Sequence, residues 1–238
     1  MKSNEMDYGV NKYIVASNKS WNKSFYNRLL KSSDGYWLYV KNESELNKAL
    51  RSEIPPRYIF FIHWSHIVSK EIWSVHECIC FHMTDLPYGR GGSPLQNLIL
   101  DGKTKTKLSA LQMTREIDAG PVYYKRVVKL NGSAEEVYTR ISKICFEMIP
   151  RIIKRQPTPM PQTGIVTKFK RRKPHESALP KKGGAKEIYD FIRMLDAPGY
   201  PSAFINYGEF LIKFSKAKNN GSNVEVSAVI QNRGKKGE

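Results

Sequence analysis

The sequence predicts an α/β fold, with a mostly parallel sheet, helices on both faces and a small C-terminal α+β appendage. Three observations carry that expectation. Four short apolar runs, Tyr13–Ala16 (YIVA), Tyr36–Val40 (YWLYV), Tyr58–Ile62 (YIFFI) and Ile79–Phe81 (ICF), are rich in β-branched and aromatic residues and read as buried strands. Amphipathic stretches separate the first three, which gives the βαβαβ rhythm of a parallel sheet with crossover helices. Finally, 238 residues at 40% hydrophobic and 26% charged are enough to bury a full core and lack the composition of a disordered chain.

The elements follow in order. Ser20–Lys31 places Trp21, Phe25, Leu29 and Leu30 on one helical face, and Glu43–Arg51 places Leu46 and Leu50 four apart. A Gly/Pro-rich turn at Leu86–Pro94 leads to a short helix, Pro94–Leu100, and to two strands, Lys107–Met113 and Val122–Leu130. Ser133 followed by Glu135 and Glu136 marks a helix N-terminus. The helix it opens is expected to run to about Ile153, with Val137, Ile141, Ile144, Cys145, Met148, Ile149 and Ile152 in one stripe, until Pro157, Pro159 and Pro161 end it. A strand at Gly164–Phe169, a helix at Ala185–Leu195, strands near Ala203–Ile205, Phe210–Phe214 and Val224–Val229, and a frayed end at Asn232–Glu238 complete the expectation. The boundaries divide the chain into 1–156, a basic Pro-rich connector 157–185, and a small subdomain 186–238.

Composition narrows the function classes. No run approaches the roughly 18 apolar residues of a membrane span, and the polar start MKSNEMDYGVNK does not read as a signal peptide. Cys78, Cys80 and Cys145 form no CxxC and cannot all pair, so a reducing cytoplasm is the expected compartment. A net charge of +17 suggests nucleic acid, but residues 151–186 alone carry +10. The excess is one segment, which makes a nucleic-acid-binding module the less favoured class.

Ligands of parallel sheets bind beyond the carboxyl ends of the strands, so the segments after Ile62 and Phe81 matter most. His63, His66, His76 and His82 cluster there, yet their spacing matches no zinc pattern, and no metal is expected. His82 ends a predicted strand, and Asp118 lies in the loop Glu116–Pro121. A carboxylate beside an imidazole orients it and suits proton transfer or oxyanion stabilisation. The turn Tyr88-Gly89-Arg90-Gly91-Gly92-Ser93-Pro94 lets backbone amides approach a ligand at a helix start, although it is neither a Walker loop nor GxGxxG.

In their order, His82-Met83-Thr84-Asp85-Leu86-Pro87, Arg90-Gly91, Pro94 and Ile117-Asp118-Ala119-Gly120-Pro121 resemble the signature of the folate-dependent formyltransferases. That family includes methionyl-tRNA, glycinamide ribonucleotide and sugar N-formyltransferases, and its His-to-Asp interval matches the 36 residues here. The stretches His63–Ser65, Phe81–Ile99 and Phe169–Pro174 most resemble the sugar N-formyltransferases of surface-glycan and pseudaminic-acid-type pathways. The resemblance implies a Rossmann-like catalytic domain over 1–156 and transfer of a formyl group from 10-formyltetrahydrofolate to a primary amine. His82 would stabilise the oxyanion and assist proton transfer, and Asp118 would orient His82 and receive the amine's proton. His63, Trp64, His66 and Val68 after the third strand, with Thr114, Ile117 and Asp118, would hold the folate.

The acceptor implied is a nucleotide-linked amino-dideoxy sugar, with Arg90, Gly91, Ser93 and Asn97 lining its pocket and Arg171 and Arg172 contacting phosphate. About 66 residues follow Arg172, fewer than the tRNA-gripping domain of methionyl-tRNA formyltransferase is expected to need, which leaves that acceptor as the alternative. One departure stands out: Cys80 occupies the position of the family's catalytic Asn. A thiol is a poor donor, so His63 or a backbone N–H takes that role, or the activity is weakened and the chain is an impaired relative. The edge predicted at Val224–Val229 leaves a homodimer open.

Overall fold

A computed structural model describes residues 11–232. The polar N-terminal stretch read against a signal peptide lies outside them, apart from Asn11 and Lys12, as does the predicted frayed end beyond Asn232. In chain order the elements are β1 (Lys12–Ala16), α1 (Asn22–Leu30), β2 (Tyr36–Val40), α2 (Glu43–Leu50), β3 (Pro56–Phe61), α3 (Lys70–Trp73), β4 (Cys78–His82), β5 (Arg90–Gly91), α4 (Pro94–Leu100), β6 (Lys105–Gln112), β7 (Val122–Lys129), α5 (Ala134–Arg155), β8 (Lys168–Phe169), α6 (Ala185–Arg193), β9 (Ala203–Tyr207), β10 (Phe210–Asn219) and β11 (Val224–Asn232).

The main sheet has the order β2-β1-β3-β4-β6-β7. Its first four strands are parallel, and β6 and β7 add antiparallel at the far side. After β1 the chain steps outward to β2 and then back across to β3, so the direction of winding reverses between β1 and β3. Such a reversal opens a crevice between the loops at the strands' carboxyl ends.

Alternation along each strand sends side chains to two cores. Val15, Phe60, Ile79 and Phe81 pack with Leu29, Leu98, Ile141 and Ile149 beneath α1, α4 and α5. Ile14, Ala16, Ile59, Phe61 and Cys78 pack with Leu46 of α2 on the opposite face. Lys12 is fully buried in β1, where its Nζ donates to the Ala49 carbonyl at 2.7 Å and the Ile54 carbonyl at 3.1 Å. The apolar stripe of α5 is buried as its spacing predicts, and Ser133 and Glu136 close a capping box worth about 1 kcal/mol. Gln156, at φ 41°, ends α5 before the first proline of the connector.

The connector does not form the strand predicted over Gly164–Phe169. Only Lys168–Phe169 pairs, because its partner β5 is two residues long and Gly164 turns the chain at φ 114°. Met160 also exchanges both backbone hydrogen bonds with Val122, so the connector lies along the end of β7. The antiparallel sheet β11-β10-β9 follows, with Phe214 and Ala203 packed toward the main core. Among the described residues no helix is long and apolar enough to cross a membrane.

Candidate active site

β4 delivers Cys80 and His82 to the carboxyl end of the sheet, two residues apart and therefore on one face. Phe61 of β3 pairs with Cys80, so His63 and His82 leave adjacent strands at the same level. His82 is buried, with its Nδ1 3.4 Å from Asp118 Oδ1 and its Nε2 2.9 Å from the Gly89 carbonyl. Both ring nitrogens therefore face oxygen acceptors, so the imidazole is held at two points. The Asp118 side chain is only 11% exposed. Its second oxygen, Oδ2, accepts the Gly91 amide at 2.9 Å.

Asp118 has φ 56°, a left-handed conformation that Asp tolerates better than most residues. The loop behind it needs a glycine at 120, where a Cβ would fall 1.9 Å from the Gln112 carbonyl oxygen. Gln162 of the connector then locks the loop. Its Nε2 donates to the Asp118 and Gly120 carbonyls, both at 2.8 Å, while its Oε1 accepts Arg90 Nε at 3.1 Å and Nη2 at 2.8 Å. Arg90 is thus tied to the connector. Sequence reasoning missed Gln162, because its partners lie 42 to 72 residues away along the chain.

The glycine turn is pinned from the same side. Gly91 has φ 106°, and a Cβ there would stand 2.5 Å from the Phe169 carbonyl oxygen. The Gly92 amide donates to that same carbonyl. Ser93 Oγ accepts the Arg172 amide at 2.9 Å, and Asn97 Nδ2 reaches the Gly92, Ser93 and Lys170 carbonyls at 3.1, 2.9 and 3.2 Å. These polar groups are engaged in holding the connector against the turn. The Arg172 guanidinium lies 5.7 Å from the Phe191 ring centroid and donates to the Glu176 carbonyl, whereas Arg171 is exposed.

The loop after β3 splits its side chains between the two faces. His63, at φ 50°, turns toward α5: its Nε2 is 3.1 Å from Ser142 Oγ and its ring packs edge-on against Tyr138 at 5.4 Å. Burial and the nearby Lys19 charge outweigh a hydrogen bond to the Tyr138 backbone and lower its pKa to about 4. Trp64 turns the other way, edge-on to Phe61 and against the α2 core with Val68 and Met113. Its indole Nε1 is buried without a hydrogen-bond partner among the described residues. His66 lies against Trp64, with Nδ1 4.0 Å from Glu43. Thr114 is exposed, as are Ile67 at 81% and Ile117 at 67%. Among the described residues no three His, Cys, Asp or Glu side chains converge to hold a metal ion.

Cys80 is half-buried. Desolvation, and after it the Asp118 carboxylate, push its thiol far above the usual range. It is therefore a neutral thiol rather than a nucleophile.

The chain superposes on a solved methionyl-tRNA formyltransferase from Clostridium thermocellum with a TM-score of 0.89 and 42% identity, covering 94% of this chain and 100% of that one. The chain belongs to the folate-dependent formyltransferase family. A family model described as "Methionyl-tRNA formyltransferase, C-terminal domain" matches residues 174–231 of this chain. The segment that the sequence argument counted as too short for a tRNA-gripping domain is thus itself matched, and length alone no longer separates the acceptors. The methionyl-tRNA formyltransferase of Thermodesulfovibrio yellowstonii is 27% identical over 154 residues, which are 61% of this chain and 50% of that protein. The chain therefore spans about half the length of that curated relative. A 4-N formyltransferase from Francisella tularensis shares the fold, with a TM-score of 0.66 at 18% identity over 92% of this chain and 97% of its own.

Proposed function

We propose that this formyltransferase moves a formyl group from 10-formyltetrahydrofolate to the primary amine of a nucleotide-linked amino-dideoxy sugar. The observation that carries the reaction is the buried His82–Asp118 pair at the carboxyl end of β4. When bound, the folate supplies the formyl carbon on its N10. Trp64 fits such a ligand, since its indole N–H, without a partner among the described residues, suits a flat heteroaromatic ring bearing acceptors. Val68, His66, Thr114 and the Ile117–Asp118 backbone complete that side of the site.

The amine must lose a proton as it attacks, and negative charge develops on the formyl oxygen. Asp118 holds one edge of His82 and takes the amine's proton through a water molecule or the imidazole, and a proton is returned to N10 as the C–N10 bond breaks and tetrahydrofolate leaves. His82 presents a ring N–H to the developing oxyanion, exchanging its contact with the Gly89 carbonyl for one to substrate. His63 is unsuited to replace the family's Asn, because its ring is engaged with Ser142 and Tyr138. The amides of Gly89, Arg90, Gly91 and Gly92 are likewise engaged, with Thr167 Oγ1, the Thr167 carbonyl, Asp118 Oδ2 and the Phe169 carbonyl, which leaves His82 as the oxyanion donor.

Support for the sugar acceptor comes from the motif likeness and from the basic connector, which lies against the glycine turn one residue from the Gly91 amide that Asp118 binds. A second reading, charged initiator tRNA, is favoured by the match over residues 174–231. Incubation with 10-formyltetrahydrofolate and either a panel of nucleotide-linked amino sugars or methionyl initiator tRNA separates them by mass spectrometry. The proposal expects one formyl group gained on a sugar amine. Gain on the tRNA alone reverses the acceptor, and gain on neither refutes the reaction.

A further inference from the structure

At the crevice where the winding reverses between β1 and β3, a cluster of aromatic and cationic side chains is left unused by the proposed chemistry. The mouth is closed by Asn18 Nδ2, which donates to Ser65 Oγ at 2.7 Å and joins the loops leaving the two strands. Beside it, Lys19 Nζ lies 4.8 Å from the centroid of the Tyr200 ring and 5.8 Å from that of Trp21. Tyr200 stacks on Tyr138 at 5.0 Å, and Trp21 stacks on the same ring at 6.4 Å. The cluster is rigid, because Gln96 Nε2 donates to Tyr138 Oη and Trp21 Nε1 donates to Ser142 Oγ.

Two cations flank this cluster. Lys19 is half-buried, and the exposed Arg171 follows Lys170, whose carbonyl is bound by Asn97 next to the Gln96 that holds Tyr138. At Tyr200, burial raises the hydroxyl pKa, and the Tyr138 hydrogen bond and then the Arg171 charge oppose that rise. Neither cation has a carboxylate within 4.0 Å among the described residues, whereas Lys107, Lys125, Lys186 and Arg193 all do. For Lys19, partial desolvation without an anion is an unfavourable arrangement that a bound anion relieves.

The cluster is also continuous with the reacting centre. A Cβ on Gly92 would meet Arg171 Cβ at 2.5 Å, and the neighbouring Gly91 amide is bound by Asp118. His63 and Trp64 leave β3 on opposite faces, so the cluster on the α5 side is separate from the folate side at Trp64.

We propose that Lys19, held at the Tyr200 ring over the β1/β3 crevice, and Arg171, packed beside Gly92, bind the diphosphate of the acceptor. The inference rests on the nucleotide-sugar reading above and assigns the anionic end of that substrate. Lys19 is the anchor, because the Tyr200 and Trp21 faces fix its ammonium by cation–π contact before any ligand arrives.

Titration calorimetry with UDP, dTDP and inorganic pyrophosphate tests this without turnover, using tetrahydrofolate as the control ligand. We expect the wild-type chain to bind at least one of the three. Lys19→Gln and Arg171→Gln each weaken that binding tenfold or more, Lys19→Arg weakens it less, and tetrahydrofolate binding is unchanged in all three variants. The proposal is overturned if the wild type binds none of the probes or if the Gln variants bind them as tightly. It is also overturned if the variants lose tetrahydrofolate binding alongside, since the role is then structural, or if they lose affinity only for charged tRNA. Diphosphate binding without formyl gain on any sugar would keep the subsite and refute the reaction, so the two failures are distinct.

Discussion

The backbone amide of Gly91 donates to Asp118 Oδ2 at 2.9 Å, so the carboxylate that faces His82 is aimed by a turn 27 residues away in sequence. Adding a methyl group at Gly91 puts a Cβ 2.5 Å from the Phe169 carbonyl oxygen, on backbone at φ 106°. Strain of this kind costs about 1–3 kcal/mol. Gly91→Ala is therefore expected to lower kcat roughly 10- to 100-fold, measured by formyl transfer, while tetrahydrofolate binding changes little.

Gln162 holds the backbone of the loop that carries the same carboxylate. Gln162→Ala leaves the Asp118 and Gly120 carbonyls without their donor, and an unmet buried group costs about 1–3 kcal/mol. Gln162→Glu keeps the acceptor facing Arg90 but loses both donors. Both variants are expected to reduce kcat about tenfold with the folate KM unchanged. A Glu variant at wild-type rate would show that the Arg90 contact, not the Asp118 loop, is what matters.

Cys80 supplies a third test. Its thiol stays protonated well above neutral pH, because burial and Asp118 both oppose the thiolate. Mass spectrometry after iodoacetamide treatment of the folded protein at pH 8 is expected to find Cys80 unmodified. Cys80→Asn restores an amide donor at the strand end. Since removing one oxyanion donor costs about 10²–10³ in kcat elsewhere, this substitution is expected to raise kcat.

His63 makes stability depend on pH. Its pKa in the folded protein is about 4, below the roughly 6.5 of an unfolded histidine. The stability it contributes is fully present above pH 6.5 and is lost as pH falls from there toward 4, because the unfolded chain takes up the proton first. Thermal melts across that window are expected to show a falling Tm in the wild type and a shallower fall in His63→Gln. Equal slopes would remove His63 as the cause.

Much of the sheet was legible because its signals are local. The runs at Tyr36–Val40 and Pro94–Leu100 form elements with the predicted bounds, and the α5 stripe needed only its period. Features set by distant partners were not legible. Lys12, outside the predicted run Tyr13–Ala16, is buried on two carbonyls of a later segment. The end of α5 expected near Ile153 falls two residues short, because the helix runs on to Arg155 before Gln156 turns the chain. In the candidate site, His82, Asp118 and the glycine turn were visible as an ordered motif. The opposite turns of His63 and Trp64, the engagement of Ser93 and Asn97 with the connector, and the Gln162 lock depend on tertiary contacts that no spacing reveals.

The central claim is that His82 and Asp118 together carry formyl transfer. Single-turnover transfer from 10-formyltetrahydrofolate to the best acceptor, compared among wild type, His82→Asn and Asp118→Asn at matched tetrahydrofolate binding, tests it most directly. The account predicts that each variant loses at least about 10² in rate while still binding folate. Either variant transferring formyl at the wild-type rate would contradict it.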